Sequence, residues 1–333
     1  MSKAQNLVKR AVVCASVFCA SAVLSLSAHA AELQKLRMAV VPAAGNLPVY
    51  VANAKGYFKD EGFDFEMLLI NSGPGAASAV VSKSADVGWG GILPTIAARA
   101  QGIPFKFIIG GYIEQKPLYA DTVMLASIKS GINDIKDLKG KVVAVNNAGG
   151  VNDLQVRIKL QEAGIPVESV QILTVPFPQM QAALELGNAD VVATVSPFST
   201  SILQRKLGKI IASGYVKEAD LTRPIPVAGV YATEEWIKNN ADAVVRLQRA
   251  LNRSNELIKT HPEEAKQILQ KQMKLAPALL EALVLPPYGT DIDPAGVQAV
   301  MDAAYSVGIL KEPMKAESII ATVNDGKKSE SVK

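Results

Sequence analysis

Two Ala-Asp-Val tripeptides, Ala85-Asp86-Val87 and Ala189-Asp190-Val191, stand at matching points of two stretches that alternate strand and helix patterns. Pro74 lies 12 residues before Asp86, and Pro178 lies 12 before Asp190. Upstream, Val40 precedes Asp86 by 46 residues and Val145 precedes Asp190 by 45. A small-residue turn follows each valine, at 42–46 and at 146–150. Two βαβαβ units of one design generate such spacings. In the first unit, residues 36–41, 63–70, 85–88 and 105–109 read as strands, with helical patterns up to residue 57 and at 75–83 and 92–101. Gly110-Gly111 is expected to end the last strand. In the second unit, 141–145, 170–175 and 189–194 read as strands, with helices at 151–163 and 179–187 and a short one over 134–138. This alternation predicts parallel α/β architecture.

Two further apolar runs, 121–127 and 225–232, lie between and after the units. They predict two crossings between lobes, which together make a hinge. Beyond residue 233 the pattern is helical, at 233–258, 262–273, 276–284 and 294–307. The polar end at 324–333 is expected to fray.

The N-terminus carries a different signal. Lys3, Lys9 and Arg10 precede an apolar, small-residue stretch at 11–27, and Ala28-His29-Ala30 supplies a small-x-small cleavage site. This pattern predicts a secretory signal peptide, residues 1–30, cut after Ala30. Removing it leaves 303 residues, a net charge of +1, no cysteine and one histidine, His261. Cys14 and Cys19 leave with the signal. A disulfide framework, a Cys-ligated or multi-His metal site and a cysteine nucleophile are therefore excluded for the mature chain. A charge near zero argues against nucleic-acid binding. No mature stretch reaches the ~20 apolar residues that span a bilayer.

Several segments carry a resemblance: VYVANAKGYFKDEGFDFE (49–66), SGPGAASAVVSKSADVGWGG (72–91), INDIKDLKGKVVAVNNAGG (132–150), LELGNADVVATVSPF (184–198) and VYATEEWI (230–237). Throughout its mature length the chain resembles periplasmic solute-binding proteins of ABC importers. The nearest type is the nitrate/sulfonate/taurine group, related to binders of thiamine-pyrimidine precursors. The resemblance implies a two-lobed, type II-like α/β fold, each lobe a βαβ sheet flanked by helices, with two hinge crossovers and a helical C-terminal part. The lobes are expected at 31–121 plus 228–333 and at 122–227. The ligand cleft is expected between them, at the carboxyl ends of strands and the starts of helices.

The candidate ligand contacts are neutral. Asn46 in the first turn offers donor and acceptor, or caps a helix. Ser72 and Gly73 open a helix, where free N–H groups attract anions. The stretch from Ser72 nearly matches a dinucleotide fingerprint, but Leu93 and Pro94 stand where the ribose-binding acid belongs. Trp89 and Gly90 follow the third strand. Trp89 serves either as an aromatic wall or as a core residue. Asn146, Asn147, Gly149 and Asn152 form the counterpart turn of the second unit. Ser196 and Phe198 follow its last strand, where Ser196 either caps a helix or donates to ligand. Arg99 and Arg157 lie farther along their helices and read as solvated. His261 and the Asp291/Asp293 stretch read as surface turns and caps.

No P-loop, HExxH, GxSxG or SxxK pattern occurs, so no catalytic residue, metal or cofactor is expected. The leading expectation is a monomeric substrate-binding component of an ABC import system, located in the periplasm. It would take a small organic anion, a sulfonate or an aromatic or aliphatic carboxylate, and deliver it to permease and ATPase subunits. The alternatives are a pyrimidine-type thiamine precursor, a nitrate-like anion, a partner of a signalling receptor, or an enzyme on the same fold. That last resemblance implies reactive Cys and His residues, which the mature chain lacks.

Overall fold

The computed structural model describes residues 32–116 and 121–321. The signal-peptide reading of residues 1–30 and the polar end at 324–333 fall outside the described residues.

The first unit lays down β1 (Gln34–Val40), β2 (Phe63–Leu69), β3 (Val87–Gly91) and β4 (Phe105–Glu114). Among them run α1 (Leu47–Ala54), α2 (Tyr57–Asp60), α3 (Gly73–Val81) and α4 (Ile92–Ala100). The second unit contributes β5 (Val123–Ser127), β6 (Val142–Val145), β7 (Gln171–Thr174), β8 (Val191–Thr194) and β9 (Gly208–Ser213). Its helices are α5 (Val151–Glu162), α6 (Phe177–Glu185) and α7 (Phe198–Gln204). The chain returns through β10 (Ile225–Thr233) and ends in α8 (Glu234–Asn239), α9 (Ala241–Thr260), α10 (Pro262–Met273), α11 (Pro277–Glu281) and α12 (Pro294–Ser306).

These strands form two five-stranded sheets, ordered β2-β1-β3-β10-β4 and β7-β6-β8-β5-β9. In the first, β1 runs parallel to β2 and β3, and β10 is antiparallel to β3 and β4. In the second, β6 runs parallel to β7 and β8, and β5 is antiparallel to β8 and β9. The two orders correspond strand for strand. The fourth strand of each sheet is the one that arrives from the other.

The repeated aspartates have a structural role. The Asp86 carboxylate accepts from the backbone N–H of Arg37 at 2.8 Å and from the Arg37 guanidinium at 3.0 and 2.8 Å. In the other lobe the Asp190 carboxylate accepts from the N–H of Val142 at 2.9 Å. Each aspartate also returns its own N–H, to the Arg37 and Val142 carbonyls respectively. A side chain thus satisfies a strand N–H that would otherwise lack an acceptor, and ties the first parallel strand to the third.

Strand alternation distributes the core over both faces of each sheet. Leu36, Met38 and Val40 pack with Leu47 and Val51 of α1 and with Leu247 and Leu251 of α9. Ala39 faces the opposite cluster, which contains Ile92 and Ile96 of α4 and Val297 and Val300 of α12. In the second sheet Val143 and Val145 face Val156 and Leu160 of α5. Ala144 faces Met180 and Leu184 of α6.

Gly110 and Gly111 do not end a strand, because β4 runs through both to Glu114. They are sites of close approach instead. A Cβ on Gly110 would lie 2.2 Å from the Asp291 carbonyl oxygen, and one on Gly111 2.5 Å from that of Ala228. β9 has no counterpart among the elements expected from sequence, and α7 follows Pro197, one residue beyond the Ser196 read as a candidate cap.

The two crossings between sheets are bonded to each other. Gly214 N–H donates to the Thr122 carbonyl at 2.8 Å. The Gln155 side-chain amide, on α5, donates to that same carbonyl and to the Gly214 carbonyl. The fully buried Glu114 carboxylate accepts from the N–H groups of Asp121 and Thr122, and its Oε2 has no partner. Burial pushes the Glu114 carboxyl up from 4.5 to about 7, with backbone hydrogen bonds opposing and the nearby Asp121 charge adding to the rise.

Two predictions follow from these contacts. Asp190→Ala is expected to lower stability by ~1–2 kcal/mol in urea denaturation, and Asp190→Asn, which keeps an acceptor, by less than half of that. Glu114 binds its proton more tightly folded than unfolded. Its contribution is full below about pH 4.5 and is lost as pH rises through about 7, by ~3 kcal/mol in all. Glu114→Gln is expected to remove that part of the decline between pH 4.5 and 8, measured by the same method.

Candidate ligand-binding cleft

A parallel strand followed by a returning helix places the helix start at the strand's carboxyl edge. The site is built from several such junctions. α1 begins after Asn46, α3 after Ser72 and α4 after Gly91 on the first sheet. α5 begins after Gly150 and α6 after Pro176 on the second. Asn46, Gly73, Gly91, Val151 and Phe177, at or beside these starts, all line one cleft. The first turns of α1, α3, α4 and α6 carry no acidic residue. Asp153 in the first turn of α5 is engaged by the Gly149 N–H at 2.8 Å and by Arg157 Nε at 2.9 Å. Helix N-termini bring partial positive charge, so this edge favours a negatively charged guest.

Among the described residues, no Asp, Glu, Lys, Arg or His lines the cleft. Its titratable side chain is Tyr112, whose phenol is pushed well above its ordinary range, chiefly by burial. Polarity comes from amides and an indole. Trp89 is 1% exposed and Asn152 is 5% exposed. Both line the cleft, and neither Trp89 Nε1 nor Asn152 Nδ2 has a hydrogen-bond partner. Buried donors are ordinarily paired, so two orphans in one cleft stand out.

The other amides are partly committed. Asn46 Nδ2 donates to the Val41 carbonyl and to the Tyr50 hydroxyl, and no side-chain bond caps α1. Asn146 Nδ2 donates to Asn147 Oδ1 at 3.1 Å, and Asn147 Nδ2 to the Ala148 carbonyl at 3.3 Å. A Cβ on Gly150 would lie 2.6 Å from Asn147 Nδ2, so glycine is what lets this turn fold against its own amide. The lobes touch where the Ala44 N–H donates to the Ser196 carbonyl at 3.4 Å.

Of the candidates read from sequence, Asn46, Gly73, Trp89, Gly90, Asn146, Asn147 and Asn152 line this cleft. Phe198 lines an adjoining cavity. Three candidates line neither, and each is bonded elsewhere. Ser72 Oγ accepts from the Gly75 N–H at 3.2 Å as a helix cap. Gly149 donates to Asp153. Ser196 donates through its N–H and its Oγ to the Asp121 carboxylate, both at 2.7 Å. Arg99 pairs with Glu234 and Arg157 with Asp153, away from the lining. His261 is exposed beside Thr260, and Asp293 caps α12. Among the lining residues that the sequence reading missed are Tyr112, Val195, Val227 and Ala228. Tyr112 lay hidden behind the glycine pair taken as a strand end. Val227 and Ala228 belong to the returning strand β10, whose place between β3 and β4 no local pattern announces.

Among the described residues no group of three or more His, Cys, Asp or Glu side chains is arranged to hold a metal ion. No helix there is long and apolar enough to cross a membrane.

Two α/β lobes of matching topology, joined by two crossings and enclosing a cleft at their strand ends, make up the periplasmic-binding-protein fold. The match to a solved structure agrees. The alkanesulfonate-binding protein of Xanthomonas axonopodis, determined with MOPS bound, superposes with a TM-score of 0.74 at 20% identity, over 87% of this chain and 99% of that one. The model of the NMT1/THI5-like family matches residues 44–265, and the chain belongs to that family. A Bacillus subtilis protein provisionally named as binding aliphatic sulfonates is 27% identical over 238 residues, 70% of this chain and 68% of that protein. The 4-amino-5-hydroxymethyl-2-methylpyrimidine phosphate synthase of Candida albicans is 26% identical over 229 residues, 66% of this chain and 65% of that enzyme. The chain spans 63% to 68% of the length of the first curated relatives it matches.

The packing of Gly150 on Asn147 gives a prediction. Gly150→Ala is expected to destabilise the protein by ~1–2 kcal/mol through overpacking. Adding Asn147→Ala is expected to recover most of that loss, so a double-mutant cycle in urea yields a coupling of ~1 kcal/mol.

Proposed function

We propose that this chain is the substrate-binding component of an ABC import system and captures a small organic anion, a sulfonate or a carboxylate, between its two lobes. The observation that carries this reading is the pair of buried, unpartnered donors, Trp89 Nε1 and Asn152 Nδ2, in a cleft where five helices begin. Trp89 comes from the first sheet and Asn152 from α5 of the second unit. An anion that accepts from both bridges the lobes and stabilises the closed arrangement, since ligand shifts an equilibrium only by its preference for one state. The crossings at Thr122 and Gly214 serve as the hinge.

The mature protein begins after Ala30 in the periplasm and works as a monomer that hands its solute to permease and ATPase subunits. Relatives named as binding proteins support the solute-binding role, and the basic, apolar N-terminus supports the export. The synthase relative raises catalysis as a rival. The lining favours binding, because its neutral amides, glycines and apolar groups supply neither a nucleophile nor an acid-base pair.

A thermal-shift and calorimetry panel of sulfonates, carboxylates, nitrate and pyrimidines tests the reading. A ligand at ~100 times its dissociation constant adds ~2.7 kcal/mol to stability. An organic sulfonate or carboxylate is expected to bind. Trp89→Phe and Asn152→Ala are each expected to weaken it about tenfold or more, as loss of a hydrogen bond to a charged group does. Binding confined to pyrimidines or nitrate, or variants that bind as wild type, would overturn it.

A further inference from the structure

A second cavity adjoins the cleft and shares Val41, Asn146 and Phe177 with it. Its character is different. Its walls include six flat, rigid side chains, Phe177, Phe198 and the prolines Pro42, Pro176, Pro178 and Pro197, with Tyr50 and the amides of Asn71, Gln179 and Gln272 among the rest. The two phenyl rings stack, with centroids 5.6 Å apart and planes 15° from parallel. Leu69, which is 53% exposed, and Met273 and Leu275 at the end of α10 add aliphatic surface. No charged side chain lines this cavity among the described residues. The orphan donors Trp89 Nε1 and Asn152 Nδ2 belong to the inner cleft, and the stacked ring surfaces lie next door.

We propose that the outer cavity is a subsite for a planar aromatic body, so that the solute is an aryl-bearing organic anion. The inference rests on the anion-binding reading above and goes beyond it by assigning the remainder of the molecule. The head group accepts from Trp89 and Asn152. The ring passes Phe177 at the junction and lies against the stacked pair and the prolines. Aromatic faces prefer offset stacking on one another. A rigid ring also loses less freedom on binding than a flexible chain with the same number of carbons. Met273 adapts to the outer edge of the ring, since its unbranched thioether fills irregular gaps and makes favourable contact with aromatic edges. Each of these residues comes from a different stretch of chain: Phe177 opens α6, Phe198 opens α7 and Met273 closes α10. The subsite therefore exists only when the second unit and the C-terminal helices come together.

Calorimetry on the purified protein with two matched series tests the inference. The sulfonate series is methane-, n-hexane-, benzene- and naphthalene-2-sulfonate, and the carboxylate series is acetate, heptanoate, benzoate and 2-naphthoate. In at least one series the benzene compound is expected to bind about tenfold or more tighter than the one-carbon or two-carbon acid, from burial of the ring. It is also expected to bind about threefold tighter than the straight-chain acid of equal carbon number. Phe198→Ala and Met273→Ala are expected to erase most of the aryl gain while leaving the affinity for the smallest acid unchanged. That small-acid affinity also reports that the variants are folded. Straight-chain acids that bind as tightly as the aryl acids would overturn the inference alone, as would variants that retain the aryl gain or weaken the smallest acid equally. If no acid of either series binds, the anion reading falls and the subsite falls with it.

Discussion

The geometry of the parallel strand-helix junction governs most of this molecule. A chain leaving a strand and returning over the sheet must start its helix at the strand's carboxyl edge. Repeating that unit in two lobes sends α1, α3, α4, α5 and α6 outward from the same edges. Their starts then meet across one cleft. Partial positive charge is concentrated there without a cationic side chain. The aspartates at 86 and 190 underpin the arrangement, because each fixes the first parallel strand against the third.

This origin explains the chemistry of the lining. Dipoles and amides are directional and neutral, so they stabilise an anion without the desolvation penalty of a buried cation. Charged residues close in sequence are paired elsewhere: Arg157 with Asp153, Arg99 with Glu234, and Arg37 with Asp86. The crossings use polarity differently. Gln155 and Glu114 bind backbone groups of the crossings themselves, so the state of two side chains bears on the segments that any lobe motion must bend.

Much of the fold was legible in the sequence because repetition is a strong signal. The Ala-Asp-Val pair, the matched prolines and the two small-residue turns locate β1, β3, β6 and β8 and the helices between them. The cleft was half legible. Asn46, Trp89, Asn146, Asn147 and Asn152 were read from their places after strands, and all line it. Ser72, Gly149 and Ser196 were read by the same rule, yet their groups are taken by a helix cap, by Asp153 and by Asp121. A turn residue's donors and acceptors are visible in sequence, but competition from a neighbour 75 residues away, as between Asp121 and Ser196, is not. The glycine pair at 110–111 misled for a related reason. Glycine marks both a chain break and a close contact, and the carbonyls of Asp291 and Ala228 that decide between them lie far along the chain.

The placement of β10 between β3 and β4 bears on how the molecule is assembled in time. The first lobe's sheet lacks its fourth strand until residues 225–233 have been made and have turned back, more than a hundred residues after β4. Such long-range pairing is slow to nucleate, because loop closure must precede the contacts that reward it. A chain emerging from the ribosome therefore cannot lock its first lobe early. The exchange of strands that joins the lobes also keeps the nascent chain open until residue 233 of its 333 has been synthesised.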